Sequence, residues 1–330
     1  MYLLGLDLGG TKTSVSLGDE TGSIRCSRRI PTRPAEGPGV WLERARALMD
    51  ETLAEAGVTP GQLGAAGLSV PGPMSVSRGM LLAPPNMIGW RDVPVLDPVA
   101  RHLSCPVFIQ NDANAVALAE ARFGACRGAA HLVYLTMSTG IGAGVICNGK
   151  LVQGASDLGG EIGHHVLDSQ GPVCPCGQRG CFEVYCGGLN VAHRIRERLA
   201  AGSVSEMLAL AEGDPARIDF RTLVAARRMG DALAVEFWTE FIERLAQGVG
   251  TAIMLYNPEA LLLGTLAIAL GPELLDPLRL ALPRYCWSLS LKACRRIESS
   301  TLGPQAGDIG ALAVALEGLE TSVRRPGVET

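Results

Sequence analysis

At 330 residues, with 47% hydrophobic and 19% charged side chains, the chain is too apolar and too weakly charged to stay disordered, and its length suits about two domains rather than a small disulfide-stapled scaffold. Lys and Arg number 29 against 33 Asp and Glu, a net charge of −4, with no basic stripe to neutralise a duplex backbone, which excludes nucleic acid as a main partner. The opening MYLLGLDLGGTK resembles neither a signal peptide nor a transit helix, and the most apolar stretch, Ala260 to Leu270, falls short of the ~20 residues that cross a bilayer; a cytoplasmic protein with no membrane partner is expected.

In chain order, YLLGLDLG, a Gly-Gly-Thr-Lys turn and TSVSLGDETGS predict a hairpin, and IRCSRRI predicts a third strand. Trp41 to Gly57 has apolar residues at helical spacing and a closing glycine, the pattern of an amphipathic helix with a stop signal. Ala65 to Val70 reads as a short buried strand ending at Pro71-Gly72-Pro73, and PVFIQND as a strand that runs into a helix from Ala113 to Gly124. HLVYLTMSTGIGAGVICNGKLVQG then repeats the order of elements in YLLGLDLGGTKTSVSLGDETGSI: strand, small polar or glycine turn, strand, turn, strand. We read this as an internal duplication at a spacing of about 130 residues. Asp231 to Tyr256 is a long helical pattern stopped by Pro258 before the strand ALLLG, and Gly307 to Leu319 is a closing helix. Alternating strands and helices favour an α/β fold with mixed sheets. A hinge near 113–130 gives domains over 1–115 and 116–306, with the closing helix, 307–320, returning to the first.

The first chemical signal is Asp7-Leu8-Gly9-Gly10-Thr11-Lys12-Thr13 between two strands. Consecutive glycines let backbone N–H groups approach an anion and Thr11 adds a hydroxyl donor, so the turn can hold phosphate oxygens; taken alone, it is equally a hairpin turn. The matching turn, Thr136 to Gly144, contains Thr139, Gly140 and Gly142, and two such turns in duplicated domains can enclose a polyphosphate from both sides. No Walker A sequence occurs. Asn111-Asp112-Ala113-Asn114 stands where a strand meets a helix, a place where α/β sheets gather binding groups. Asp112 there is either the helix N-cap or a carboxylate that takes the proton of a hydroxyl as it attacks phosphorus.

Ten cysteines in a chain expected in the cytoplasm argue for reduced thiols or a metal site. His164, Cys174, Cys176 and Cys181 have the spacing of a tetrahedral Zn2+ knuckle, and four protein ligands leave no open position, so the zinc is expected to be structural. Cys26, Cys105, Cys126, Cys147, Cys186, Cys286 and Cys294 lack ligand spacing and are read as small core hydrophobes. Glu161 and Glu183 flank the zinc loop, 164–181. Each is either a solvated surface acid or a fixed carboxylate that accepts sugar hydroxyls at little entropic cost.

Together these residues resemble the ROK family of sugar kinases and repressors, within the actin-like ATPase superfamily, over nearly the whole chain. The resemblance rests on DLGGTKT from Asp7, SVPGP from Ser69, NDANAVALAE from Asn111, TGIGAG from Thr139 and GEIGHHVLDSQGPVCPCGQRGCFEVYCGG from Gly160. It implies an α/β fold of two duplicated actin-like ATPase (ribonuclease H-like) domains with mixed sheets around a central cleft. It also implies that Asp112 is the general base and that Asn111, Glu161, His164 and Glu183 hold the sugar ring, with Gly72 and Asn86 near it. ATP phosphates would lie on Gly9, Gly10, Thr11, Lys12, Thr139, Gly140 and Gly142, with Asp7 near Mg2+ and Gly264 in the adenosine region. His164 would use one ring nitrogen for zinc and the other for sugar. The chain departs from the family at Ser138, where Gly is frequent, at Gly264-Thr265 in place of a Gly-Gly pair, and at Cys186 in place of a small Ser.

The function this implies is ATP-dependent phosphorylation of a hexose at its 6-hydroxyl, glucose foremost, with the domains closing on the sugar. The alternatives are an N-acetylmannosamine or N-acetylglucosamine kinase and a non-enzymatic sugar sensor. Repressors of the family carry a helix-turn-helix ahead of the body, whereas here the first strand is expected from residue 2. The resemblance further implies a homodimer or homotetramer.

Overall fold

The computed structural model describes residues 1–323. In chain order it begins with β1 (Tyr2–Leu8), β2 (Lys12–Asp19), β3 (Ile24–Pro31), α1 (Pro38–Ala56) and β4 (Leu63–Val70). A small sheet of β5 (Met74–Ser75), β6 (Met80–Leu81) and β7 (Val93–Pro94) follows, then α2 (Leu96–Leu103), β8 (Val107–Asn111) and α3 (Asp112–Arg122). The main sheet has the order β3-β2-β1-β4-β8; β1 to β3 are antiparallel neighbours, whereas β4 runs parallel to both β1 and β8.

The central strands of this sheet are buried on both faces, so their sequences are almost wholly apolar or small. Leu4, Leu6 and Leu8 point into a core with Trp41, Met49 and Leu68, while Leu3 and Ala65 pack the other way against Leu312 and Ala315, as the two-residue period of a strand requires. Helix α1 starts at Pro38 rather than Trp41, because proline suits the first helical turn, where its missing N–H has no helical acceptor. Gly57 closes it at φ 65°, as the sequence pattern predicts.

The second half runs β9 (Leu132–Met137), β10 (Ile141–Cys147), β11 (Lys150–Leu151), α4 (Phe182–Cys186), α5 (Gly188–Ala200), α6 (Glu206–Leu210), α7 (Phe220–Arg228) and α8 (Ala232–Tyr256). After these come β12 (Ala260–Leu263), α9 (Leu266–Leu270), α10 (Pro272–Ala281), α11 (Ser288–Ala293), β13 (Arg296–Ser299) and α12 (Ala306–Val323). The second sheet has the order β11-β10-β9-β12-β13, with β10 and β11 antiparallel and β12 parallel to both β9 and β13. Strand for strand this is the order of the first sheet, so the duplication inferred from the sequence is a duplication of topology. Helix α8 is capped by the Asp231 carboxylate, which accepts the Ala234 N–H, and it ends in the left-handed Asn257 (φ 41°), one residue ahead of Pro258.

The described residues group into two compact units, one comprising Met1–Ala130, Gly144–Gly159 and 301–323, the other His131–Ala143 and Gly160–Ser300. Where the sequence puts the boundary at 115/116, contacts keep 116–130 with the first unit, because α3 packs along α12, which also covers β1 and β4. Of the seven cysteines read as core hydrophobes, Cys126, Cys186, Cys286 and Cys294 are buried, whereas Cys26, Cys105 and Cys147 are only partly so; packing does not claim these three fully. No helix among the described residues is long and apolar enough to cross a membrane.

The α12 contact depends on Gly67, since a Cβ there would overlap the Ala311 carbonyl and lie 2.5 Å from the Ala315 nitrogen. Gly67→Ala is expected to destabilise the protein by about 3 kcal/mol, the upper range for overpacking, because backbone cannot rotate aside as a side chain can. Gly61→Ala, where a Cβ meets nothing within 4 Å, is the control in urea unfolding; equal midpoints for the two variants would refute this account of the contact.

Candidate functional site

The β1–β2 turn is held from behind. Gly9 N–H donates to Lys12 O (2.9 Å), Thr32 N–H donates to Thr11 O (2.9 Å), and the Thr32 hydroxyl donates to Gly9 O (2.7 Å). Because the Thr32 hydrogen goes to Gly9, the contact between the Thr13 and Thr32 hydroxyls (3.0 Å) must have Thr13 as donor, and Thr13 in turn accepts the Trp41 indole N–H (3.0 Å). Both threonines are fully buried, and a buried polar chain with every donor used is rigid. This bracing presents the backbone of Gly10 and Thr11 at the partly open tip of the turn. A Cβ on Gly10 would stand 3.5 Å from the Asn86 Cβ, so Asn86, read as a sugar contact, borders the turn read as a phosphate holder.

Asp7, at the end of β1, accepts the Ser69 hydroxyl (2.8 Å). Burial pushes its carboxyl above the usual range; the Ser69 bond opposes this, nearby Asp308 adds to it, and Lys12 and Arg29 pull the other way. A desolvated carboxylate with a second carboxylate nearby is a group that a cation would stabilise. Ser69 and Asp308 were not singled out in the sequence. Ser69 opens SVPGP, which ends in the cis Gly72–Pro73 bond beyond β4.

Between its two sequence readings for Asp112, the structure rejects the cap. Asn111 is the N-cap of α3, its Oδ1 accepting the N–H groups of Ala113 and Asn114 (3.0 and 3.4 Å). Asp112 is the first helical residue, exposed to solvent, and its Oδ1 accepts Ala113 N–H at 2.8 Å. An Asn cap extends straight from β8 into α3 and turns the following carboxylate outward, next to the positive end of the helix. Gly144 of β10 is needed here as well, because a Cβ would lie 2.5 Å from both Ala113 O and the Ala117 Cβ.

In the second unit, the β9–β10 turn is fastened to α4 and α5. Gly188 N–H donates to Ser138 O (2.9 Å) and Leu189 N–H to Thr139 O (3.0 Å). Glu183 Oε2 accepts Ile141 N–H at 2.8 Å, and a Cβ on Gly140 would overlap that carboxylate. Glu183 therefore anchors the turn with one oxygen, a role its reading as a sugar ligand alone did not include. Gly142 is in the strand that follows. Gly264 N–H donates to Leu135 O (2.7 Å), and Thr265, in place of a second glycine, takes the left-handed φ of 40° that glycine favours.

Glu161 precedes a single 3-10 turn, Ile162–His164. Burial of its carboxyl raises its pKa, opposed by His164 and reinforced by Glu183, which groups these three predicted sugar residues in one electrostatic neighbourhood. The ligand atoms of His164, Cys174, Cys176 and Cys181 all lie within 4.8 Å of one another, with His164 Nδ1 3.8 Å from Cys174 Sγ and the Cys176 and Cys181 sulfurs 3.7 Å apart. Three thiols and an imidazole at these separations fit one tetrahedral cation. Burial pushes the Cys181 thiol up to about 12, with Cys176 and Cys174 adding to it; burial raises Cys174 too, whereas Cys176 is lowered, hydrogen bonds from the Gln178 backbone and its fellow thiols outweighing burial.

The predicted residues thus divide between the units. Asp7, Gly9, Gly10, Thr11, Lys12, Gly72, Asn86, Asn111 and Asp112 belong to the first, and Thr139, Gly140, Gly142, Glu161, His164, Cys174, Cys176, Cys181, Glu183 and Gly264 to the second.

The sequence profile of the ROK family matches residues 3–317. A glucokinase of Thermotoga maritima is 34% identical over 96% of this chain and 98% of its own. A xylose repressor of Caldicellulosiruptor bescii is 28% identical over 95% of this chain and 78% of its own. Among solved structures, a ROK family glucokinase from Streptomyces griseus in complex with glucose and AMPPNP superposes with a TM-score of 0.78 at 29% identity, covering 96% of this chain and all of that one.

Proposed function

This chain belongs to the ROK family, with its actin-like α/β fold, and we propose that it is an ATP-dependent kinase acting on the 6-hydroxyl of a hexose, with glucose as the preferred substrate. The observation that carries this reading is the exposed Asp112 carboxylate on the first turn of α3, turned outward by the Asn111 cap. In the proposed reaction a sugar is held by Asn111, Glu161, His164 and Glu183, with Gly72 and Asn86 beside it. Asn111 and Glu183 each have one oxygen committed to the backbone, so the Asn111 amide nitrogen and the second Glu183 oxygen face the substrate. His164 offers its Nε2, since Nδ1 is turned to Cys174.

Asp112 accepts the proton of the 6-hydroxyl as that oxygen bonds to the terminal phosphorus of ATP; the bond from phosphorus to the bridging oxygen breaks and ADP leaves. Gly9, Gly10, Thr11, Lys12, Thr139, Gly140 and Gly142 would hold the phosphates, Gly264 the adenosine region, and Asp7 would lie near Mg2+, which supplies charge neutralisation when bound. A Zn2+ on His164, Cys174, Cys176 and Cys181 would order the loop that bears the sugar residues.

The test is ADP release with Mg-ATP against glucose, mannose, fructose, N-acetylglucosamine and N-acetylmannosamine. Greatest kcat/KM on glucose is expected. Preference for an N-acetylated sugar would reassign the substrate. No turnover together with sugar binding would favour the second reading, a sugar sensor, which the similarity to a xylose repressor supports.

A further inference from the structure

Behind the phosphate turn lies a buried carboxylate that the proposed reaction does not use. Asp308, on the first turn of α12, is 3% exposed. Both of its oxygens are engaged, Oδ1 by the Ser14 hydroxyl (2.5 Å) and Oδ2 by the Arg29 guanidinium (2.9 Å). The residue before it, Gly307, abuts Asp7, and a Cβ there would overlap the Asp7 carboxylate and stand 2.7 Å from its Cγ. Two carboxylates therefore press on one helical turn, and the half-exposed Arg29 side chain (44%) is near enough to act on both. Asp7 faces Ser69, Asp308, Lys12 and Arg29, and of the two cations only Arg29 is fixed by a buried partner.

We propose that Asp308 is a positioning residue of the nucleotide site: it holds the Arg29 guanidinium off Asp7, reserving the Asp7 carboxylate for the divalent cation that accompanies the nucleotide. This rests on the kinase reading above. A guanidinium deprived of one carboxylate turns to the next within reach, which here is Asp7, and an ion pair there would compete with the metal. The arrangement joins residues 279 and 294 positions apart and specifies Asp308 by its charge rather than its shape.

The experiment is calorimetric titration of ADP at stepped MgCl2, which needs no turnover. Asp308→Asn keeps an acceptor for Ser14 and is expected to raise the Mg2+ concentration for half-maximal ADP binding about tenfold, equivalent to about 1.4 kcal/mol. Arg29→Gln takes the positive charge from the site while its amide can still donate to Asp308 Oδ2, and is expected to lower that concentration about threefold, and the double variant to return to within about twofold of wild type. A double variant as impaired as Asp308→Asn would overturn the proposal, because the aspartate would then act only through folding. An unchanged or raised requirement in Arg29→Gln would also overturn it, and this arm stands should Asp308→Asn fail to fold. Unmodified protein that binds no Mg-ADP would instead remove the kinase reading and the proposal with it.

Discussion

Asp112→Asn is expected to lower kcat about 1,000-fold, within the span that general base catalysis supplies, while sugar affinity stays within about threefold of wild type. Asparagine fills the same space, and its side-chain oxygen can still accept the Ala113 N–H that Asp112 Oδ1 takes at 2.8 Å. The helix keeps its true cap, Asn111, so stability should change by no more than the few tenths to 1 kcal/mol, roughly, of a charge at a helix N-terminus. What is lost is the ability to receive a proton. Stopped assays for ADP, with sugar binding by calorimetry, separate the two quantities; a variant with near-normal kcat would remove Asp112 from the chemistry.

Stripping the metal is expected to lower Tm by about 10 °C and to weaken sugar binding about tenfold, as when supports of a ligand residue are lost. Between His164 and Cys181 the chain forms almost no regular structure; isolated bridges join Val166 to Cys181 and Val173 to Arg179. Without an ion, the Cys181 thiol is pushed up to about 12 and Cys174 is raised as well, so these two bind zinc only by giving up protons. Zinc affinity should therefore rise with pH, with protons released on binding. Cys181→Ser should reproduce the stripped state and Cys286→Ser should retain the metal, as mass spectrometry of the native protein would read. Equal melting and sugar affinity in verified metal-free protein would refute the structural role.

Much of this was legible in the sequence because its signals are local. The duplicated turns, the α1 stop at Gly57 and the Cys-Pro-Cys knuckle each lie within a few residues, where spacing dictates geometry. Assigning the α3 cap to Asn111 rather than Asp112 was not legible, since both residue types cap well and only the path of β8 decides. The Glu183 bond to Ile141 N–H joins residues 42 apart, and the Asp308 contacts to Ser14 and Arg29 span almost the whole chain. One clue was available for Asp308: an acid at the start of AGDIGALAVAL, among small and apolar residues, had to be buried with a partner or lie at the helix rim.

The buried chain behind the first turn ends in a chromophore. Trp41 reaches Gly9 through two hydroxyls, and its ring meets Trp90 edge-on with centroids 5.5 Å apart. A ligand drawing on the Gly9 peptide alters the polarisation of each hydroxyl in turn, and the last member of the series is an indole whose emission depends on what its N–H donates to. The fold has thus tied the β1–β2 turn to a core indole, and Trp41 emission would report a ligand if one binds at the tip.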